Sequence, residues 1–414
     1  MTTVRLIEPE ETDRFIRCAA VPFLEVAEEV QVERWRPHVE PGRAWAVVDG
    51  DRFVGNACVF SRDLTLPAGP SGLAPLLPMA AISAVGVHPT HRRRGFLRRL
   101  MGAMLADAAE RGTALAGLEA SEAGIYGRFG FGCATTVTEV KVSTRRSAFL
   151  TSAPDPGVRL CGAAEASKVL PGLFDRLRRC RAGEVSRDDA SWADMFADPV
   201  PERKGATGLF YAVADDAYAS YRINGDAEGN RLVVHDLFAA SSELEAGMWR
   251  FLLDVDLVEE VVARPRPVDE PLRWRLADPR QLRVTGVRDF LWLRVIDVPV
   301  ALAARGYRSE GLLVLQVDPA QAPVGPDGEP VGDPAAGVWS LDASPGGASC
   351  RAARRAERAD LRMGASDLGS LLLGGVAPSV LAAAGRVTEL RPGMLDLADR
   401  VFCGGPAPLS QTGF

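Results

Sequence analysis

The chain has 414 residues, 47% hydrophobic and 25% charged, with a formal net charge of −6. That length calls for about two to four domains with real cores, and no uninterrupted apolar run is long enough to span a bilayer. The acidic start MTTVRLIEPEE does not read as a signal peptide, so a cytoplasmic protein is expected, with no membrane partner, and the negative charge argues weakly against nucleic acid and is compatible with a cationic ligand.

In chain order, Arg43–Asp49 and Arg52–Phe60 are apolar runs around Asp49-Gly50, a hairpin signal. Residues 61–79 are rich in Pro and Gly and read as a loop. Ala81–Val87 reads as a buried strand. Phe96–Arg111 reads as an amphipathic helix, with Leu97, Leu100, Met101, Met104, Leu105 and Ala108 on one face and Gly112 as its stop. Ala114–Ala120 and Thr136–Val142 read as further strands.

The segment SAPDPG, Ser152–Gly157, reads as a linker, after which the pattern begins again. Val158-Arg159-Leu160 echoes Val4-Arg5-Leu6, strand-like runs recur at Gly208–Ala214, Tyr218–Ile223 and Leu232–Ala239, and a helix follows near Glu243–Leu253. This predicts a degenerate second copy of the first fold. A third region begins near Gly286 with DFLWLRVIDVPVALAARGY, passes a Pro/Gly-rich turn region at 322–337, and has helical stretches at Ala365–Leu373 and Ser379–Ala384. The fold class expected is therefore α/β (α+β) and multidomain, divided as 1–152, 158–285 and 286–414.

The most specific motif runs from Val85-Gly86-Val87 through His88-Pro89-Thr90-His91 to Arg92-Arg93-Arg94-Gly95-Phe96-Leu97-Arg98. A strand ends, a basic loop with a glycine follows, and a helix opens from it. That order aims backbone N–H groups and the positive end of the helix dipole at one place. A diphosphate fits there, with arginines to pair with it bidentately; a basic run without strand and helix would be only a solvated turn. Gly86 inside a strand is costly unless a bulge or a close approach of backbone requires it. After the next strand come Ser121-Glu122 and then Tyr126-Gly127-Arg128-Phe129-Gly130-Phe131.

Arg92 and Gly95 resemble the acetyl-CoA loop R/Q-x-x-G-x-G/A of the GNAT acetyltransferases, with Leu97 in place of the usual small residue. Tyr126-x-x-x-Gly130-Phe131 resembles the Y-x-x-x-G-F that closes GNAT sites. HRRRG, SE-x-GIYGRFG, the repeated fold, LWLR and a C-terminal Phe together resemble the Eis (enhanced intracellular survival) acetyltransferases over essentially the whole chain. The resemblance implies an active GNAT domain, a central GNAT-like domain without cofactor, and a C-terminal domain like sterol carrier proteins whose end enters the active site. It implies acetyl-CoA as co-substrate, with Val85, Gly86, Val87, Arg92, Arg93, Arg94, Gly95, Phe96, Leu97, Arg98, Ser121 and Glu122 around it. It also implies Tyr126 as general acid, the Phe414 carboxylate as general base or proton relay, aminoglycoside amines as acceptors, and a homo-oligomer, a hexamer.

Amine attack on a thioester needs no protein nucleophile, so the lack of a Ser–His or Cys–His pair is no objection. Phe23, Glu25, Glu28 and Trp35 lie in an acidic segment that is a candidate wall for a cationic substrate, and equally a solvated helix face. Seven scattered cysteines without a C-x-x-C pair, and four histidines without ligand spacing, indicate no metal site and no disulfide framework. Acetylation of protein lysines or polyamines would use the same cofactor loop, so it stays open. A lipid or sterol carrier, suggested by the last domain alone, has no use for Arg92–Gly95 and Tyr126.

Overall fold

A computed structural model describes residues 2–70, 72–226, 229–321, 324–325, 328–329 and 332–414. The chain gathers into two compact units, Met1–Ala134 with Leu291–Gly405 and Phe414 in one, and Thr135–Phe290 with Pro406–Gly413 in the other.

The first unit begins with β1 (Thr2–Leu6), α1 (Thr12–Ala20) and α2 (Glu29–Trp35), then β2 (Ala44–Asp49), β3 (Arg52–Thr65) and β4 (Leu76–Val87). Next, α3 (Phe96–Glu110) crosses to β5 (Leu115–Glu119), and the short α4 (Ala123–Tyr126) leads to β6 (Gly132–Cys133). Gly50 takes φ +61 in the β2–β3 turn, and Gly112 takes φ +70 after α3, the two places where chain reversal and helix termination ask for a residue without Cβ. The apolar face of α3 buries Leu100, Met101, Met104, Leu105 and Ala108 against the sheet.

The loop expected at 61–79 is mostly sheet. β3 and β4 stay paired from Ser61–Ala80 to Thr65–Leu76, leaving only 66–75 as connection. Leu64 and Leu66 are fully buried there. Pro78 lies just before β4 gains its second neighbour at Met79, an edge condition under which a strand tolerates a residue without N–H. Part of the turn region expected at 322–337 lies outside the described residues.

The second unit contains β7 (Thr136–Ser143), β8 (Arg159–Cys161), α5 (Ala163–Leu177), α6 (Asp189–Ala197), β9 (Phe210–Ala214), β10 (Ala217–Asp226) and β11 (Gly229–Ala239). It continues with α7 (Ser242–Leu253), β12 (Glu260–Pro267), α8 (Leu272–Arg275) and β13 (Leu282–Asp289). Its seven-stranded sheet has the order β13-β7-β12-β11-β10-β9-β8. In both sheets antiparallel neighbours give way to one parallel pair joined through a helix, β4–α3–β5 and β11–α7–β12. That shared step is the repeat expected from the sequence.

The chain then returns to the first unit as β14 (Leu291–Val295), and the sheet there reads β1-β2-β3-β4-β5-β14-β6. It ends with α9 (Val298–Ala304), β15 (Gly311–Asp318), β16 (Gly337–Ser344), β17 (Gly347–Ala352), β18 (Leu361–Gly364), α10 (Ala365–Leu371), α11 (Pro378–Ala383), β19 (Val387–Glu389) and α12 (Met394–Phe402). These strands form a five-stranded sheet, β17-β16-β15-β18-β19.

The sheets therefore divide the chain elsewhere than at 152/158 and 285/286. β7, read from sequence as part of the first fold, pairs with β12 and β13 of the second sheet. The LWLR strand, read as the start of the third region, sits between β5 and β6 of the first. A Pro/Gly linker marks a surface turn, whereas a domain boundary follows the hydrogen-bonded ladder, and alternation along a strand does not say which ladder it joins.

Candidate active site

β4 and β5 pair only through Met79–Ala81 with Leu115–Gly117, and then part. The cause is local. Two residues of β4, Ala84 and Val85, stand opposite the single Ala57 of β3, where the register shifts, and Ala84 takes φ +50. This is a bulge, which bends a strand out of its ladder. Asn56, fully buried, holds it by donating its side-chain amide to the Ala84 carbonyl. Gly86 follows at once; a Cβ there would stand 2.4 Å from Pro22 Cγ. The bulge foreseen for a glycine in this strand lies just before Gly86, and the close neighbour of Gly86 is the ring of Pro22.

The loop after β4 ends with Arg93 at φ +63 and Gly95 at φ +80. Gly95 is the N-cap of α3 and makes no side-chain cap bond, so the N–H groups of the first turn are open to a ligand. Thr90 Oγ1 braces the loop, 2.8 Å from His88 Nδ1 and 2.7 Å from His91 Nδ1, while His91 Nε2 lies 3.2 Å from the Asp49 carboxylate. A cavity of about 1100 Å³ opens here, lined by Val85–Val87, Arg92, Arg93, Gly95–Arg98, Ser121, Glu122 and Tyr126 among others. Backbone donors at a positive helix end, with arginines beside them, are the donor set a diphosphate requires.

Tyr126 is 5% exposed and packs edge-to-face on Phe131, ring centres 6.4 Å apart. Burial pushes its pKa up; a hydrogen bond with Ser121 works against this, and the nearby Glu122 adds to it. The phenol therefore keeps its proton at neutral pH. The turn behind it is pinned by Arg294 of β14, which donates to the Phe129 carbonyl at 2.5 Å and to Asp333 at 2.6 Å. Gly130 takes φ +82, and a Cβ there would meet Arg294 Nη1 at 1.7 Å. The glycine of the Y-x-x-x-G-F motif is thus a space requirement set by an arginine far along the chain.

A second cavity, about 390 Å³, shares Phe23, Val85, Ser121 and Tyr126 with the first. Tyr126 stands where the two meet. The second wall is largely apolar, with Ile16, Trp35, Ile82 and Leu118, and it also carries Glu25, Glu119 and the terminal residue Phe414. The Phe414 N–H donates to Glu119 Oε1 at 3.1 Å.

An acetyltransferase (GNAT) domain profile matches residues 3–134, a second such profile 183–295, and a sterol carrier protein domain profile 298–410. The N-acetyltransferase Eis of Mycobacterium tuberculosis is 34% identical over 415 residues, 97% of each chain. The chain belongs to the Eis family of GNAT N-acetyltransferases. It is also 35% identical over 425 residues to an uncharacterized N-acetyltransferase of Streptomyces avermitilis, with both chains fully covered. The crystal structure of Eis1 from Mycobacterium abscessus superposes with a TM-score of 0.85 at 31% identity, again over 100% of both chains.

Within this Eis fold, two residues expected at the site stand apart from it. Arg94 does not line the first cavity, its guanidinium lying 5.1 Å from the centre of the Phe96 ring. Glu28 does not line the second, because it is the N-cap of α2 in a capping box with Gln31. Phe23, Glu25 and Trp35 do line it. Sequence reasoning missed Pro22, His91 and Gln321 in the first cavity and Gln31 and Glu119 in the second. Glu119 left one usable signal, since it ends a strand of a parallel pair, where ligands of α/β sheets collect. Among the described residues, no three His, Cys, Asp or Glu side chains are grouped to hold a metal, and no helix is long and apolar enough to cross a membrane.

Proposed function

We propose that this acetyltransferase moves an acetyl group from acetyl-CoA to a primary amine of a small polycation of the aminoglycoside type, as a cytoplasmic homo-oligomer, a hexamer. One observation carries the reading: Tyr126 lines both the cavity at the basic end of α3 and the cavity that holds Glu25, Glu119 and Phe414. Bound acetyl-CoA supplies a thioester open to attack by an amine.

The first turn of α3 with Arg92 and Arg93 holds the diphosphate, and the gap between β4 and β5 takes the arm behind it. Main-chain groups of Val85–Val87 lie along that gap and polarise a carbonyl placed there. Tyr126 gives its proton to the departing sulfur. A phenol of pKa about 10 is a weaker acid than a thiol of about 8.5, so the transfer is uphill by roughly 2 kcal/mol. Burial raises the phenol further, but a thiolate formed in the same cavity is desolvated alongside it.

An α-carboxylate, ordinarily near pKa 3.5, falls about 4.5 units short of an amine near 8, roughly 6 kcal/mol, so the Phe414 carboxylate is a poor resting place for the proton. It therefore holds the ammonium and passes the proton on through water rather than keeping it. Glu25 and Glu119 in the same cavity favour an acceptor with more than one ammonium, over a protein lysine.

Release of free thiol from acetyl-CoA across a panel of aminoglycosides, polyamines and lysine peptides tests this. Saturable release is expected with the small polycations. Acetyl-CoA that binds by calorimetry but yields thiol only with lysine peptides would overturn the acceptor; acetyl-CoA that does not bind would overturn the cavity assignment.

A further inference from the structure

The second sheet parts where the first does. β11 pairs in parallel with β12 only from Arg231–Glu260 to Val234–Ala263. Just beyond, His235 is the extra residue of a bulge against β10, whose register shifts between Ser220 and Tyr221. β11 runs on to Ala239 and β12 to Pro267, so a gap opens beside Leu237. No basic loop serves it, because α7 starts directly after Ala240 and Ser241, with Ser241 Oγ as its cap.

The gap holds the chain's own C-terminal segment. The Leu237 N–H donates to Gln411 Oε1 at 3.1 Å, and Gln411 Nε2 donates back to the Leu237 carbonyl at 3.0 Å. A side-chain amide used this way stands in for the strand that is missing. The pantetheine arm of coenzyme A also presents amides, so one gap geometry suits either occupant.

The main chain of the segment is gripped as well. The Glu184 carboxylate accepts from the Gln411 N–H at 2.8 Å and the Thr412 N–H at 3.1 Å. Arg187, held by Asp236 through two bonds of 2.8 Å, donates to Thr412 Oγ1 at 2.9 Å. Glu184 is 2% exposed and Asp236 4%. A carboxylate so buried is unfavourable unless its partners are present, and two of the partners of Glu184 are amides of the tail. Most chain ends have no such anchorage.

We propose that the second repeat uses the gap between its parted strands as a clasp for the C-terminal peptide Pro406–Gly413, and that Glu184, Arg187 and Gln411 hold the chain up to Gly413, the residue bonded to Phe414. The clasp stands on the contacts above; its effect on turnover rests on the proposed part of Phe414 in the reaction.

Full-length protein with Gln411→Ala, and separately Glu184→Ala, is compared with the wild type by amide hydrogen exchange and steady-state kinetics. Exchange at residues 409–413 should quicken by about tenfold or more while β9–β12 keep their protection. In parallel kcat should fall severalfold and the Kd for acetyl-CoA stay unchanged. Gln411→Ala leaves the core of the repeat intact, so the test stands if Glu184→Ala fails to fold. Wild-type exchange of the tail in Gln411→Ala overturns the clasp. A released tail with unchanged kcat upholds the clasp and removes Phe414 from the reaction.

Discussion

The two repeats build the same β–α–β step and treat its helix N-terminus in opposite ways. In the first, α3 opens with no acidic residue in its first turn, behind Arg92, Arg93 and a glycine cap. In the second, Glu243 and Glu245 occupy the first turn of α7. Glu245 is bonded to the fully buried Arg266, which also pairs with Glu270 at 2.7 Å. A carboxylate there satisfies the positive end of the helix from within, whereas the first turn of α3 carries no such group. A fold alone thus says little about ligands. The charge placed on one helical turn, and what enters the gap beside it, separate an enzyme site from a structural one.

The comparison is broken most severely at Tyr126, for which the second repeat has no counterpart motif. Tyr126→Phe should lower kcat by about 100- to 10,000-fold without changing the Kd for acetyl-CoA. An unchanged kcat would leave the phenol a packing residue. A smaller effect sharpens the contrast between the helix ends. Arg92→Ala should raise the acetyl-CoA Kd about tenfold, near 1.4 kcal/mol. The mirror change Glu245→Gln should leave that Kd alone and cost the second unit about 1–3 kcal/mol of stability, read by denaturant titration. Equal effects of both changes on Kd would erase the distinction.

The smallest effect concerns pH. Because burial raises the pKa of Tyr126, its acid form persists as pH rises through about 10, the ordinary tyrosine value. The kcat profile should therefore rise as the acceptor amine loses its proton and then stay level to about that pH. An alkaline fall at lower pH that Tyr126→Phe abolishes would mean that the Ser121 hydrogen bond, not burial, governs the phenol.

Both cavities were only partly legible in the residues. The strand–loop–helix order at 85–98 was readable because it is a local constraint, on dihedral angle and helix end, whereas the glycine of the tyrosine motif was legible only through the family resemblance. Arg94 and Glu28 stand off the cavities that their sequence neighbours line. A basic run or an acidic helix names candidates, but a one-residue rotation along a helix or loop decides which side chain faces the cavity. Glu119 meets Phe414 across 295 positions of the chain, and the reason for Gly130 is Arg294. Neither pairing leaves a trace in periodicity.

By itself the sequence determined the repeat, the helices α3, α7, α10 and α11, several strands of the two repeats, the basic loop that opens α3, and the glycines of the turns. These depend on neighbours a few residues away, where alternation, capping and steric freedom act directly. Tertiary structure alone decided that β7 and β14 exchange sheets, that Tyr126 is the point where two cavities meet, and that a glutamine and a buried glutamate hold the tail. Those outcomes join residues more than a hundred positions apart, and the hydrogen-bond partner a strand or a terminus takes depends on which surfaces the rest of the chain leaves open.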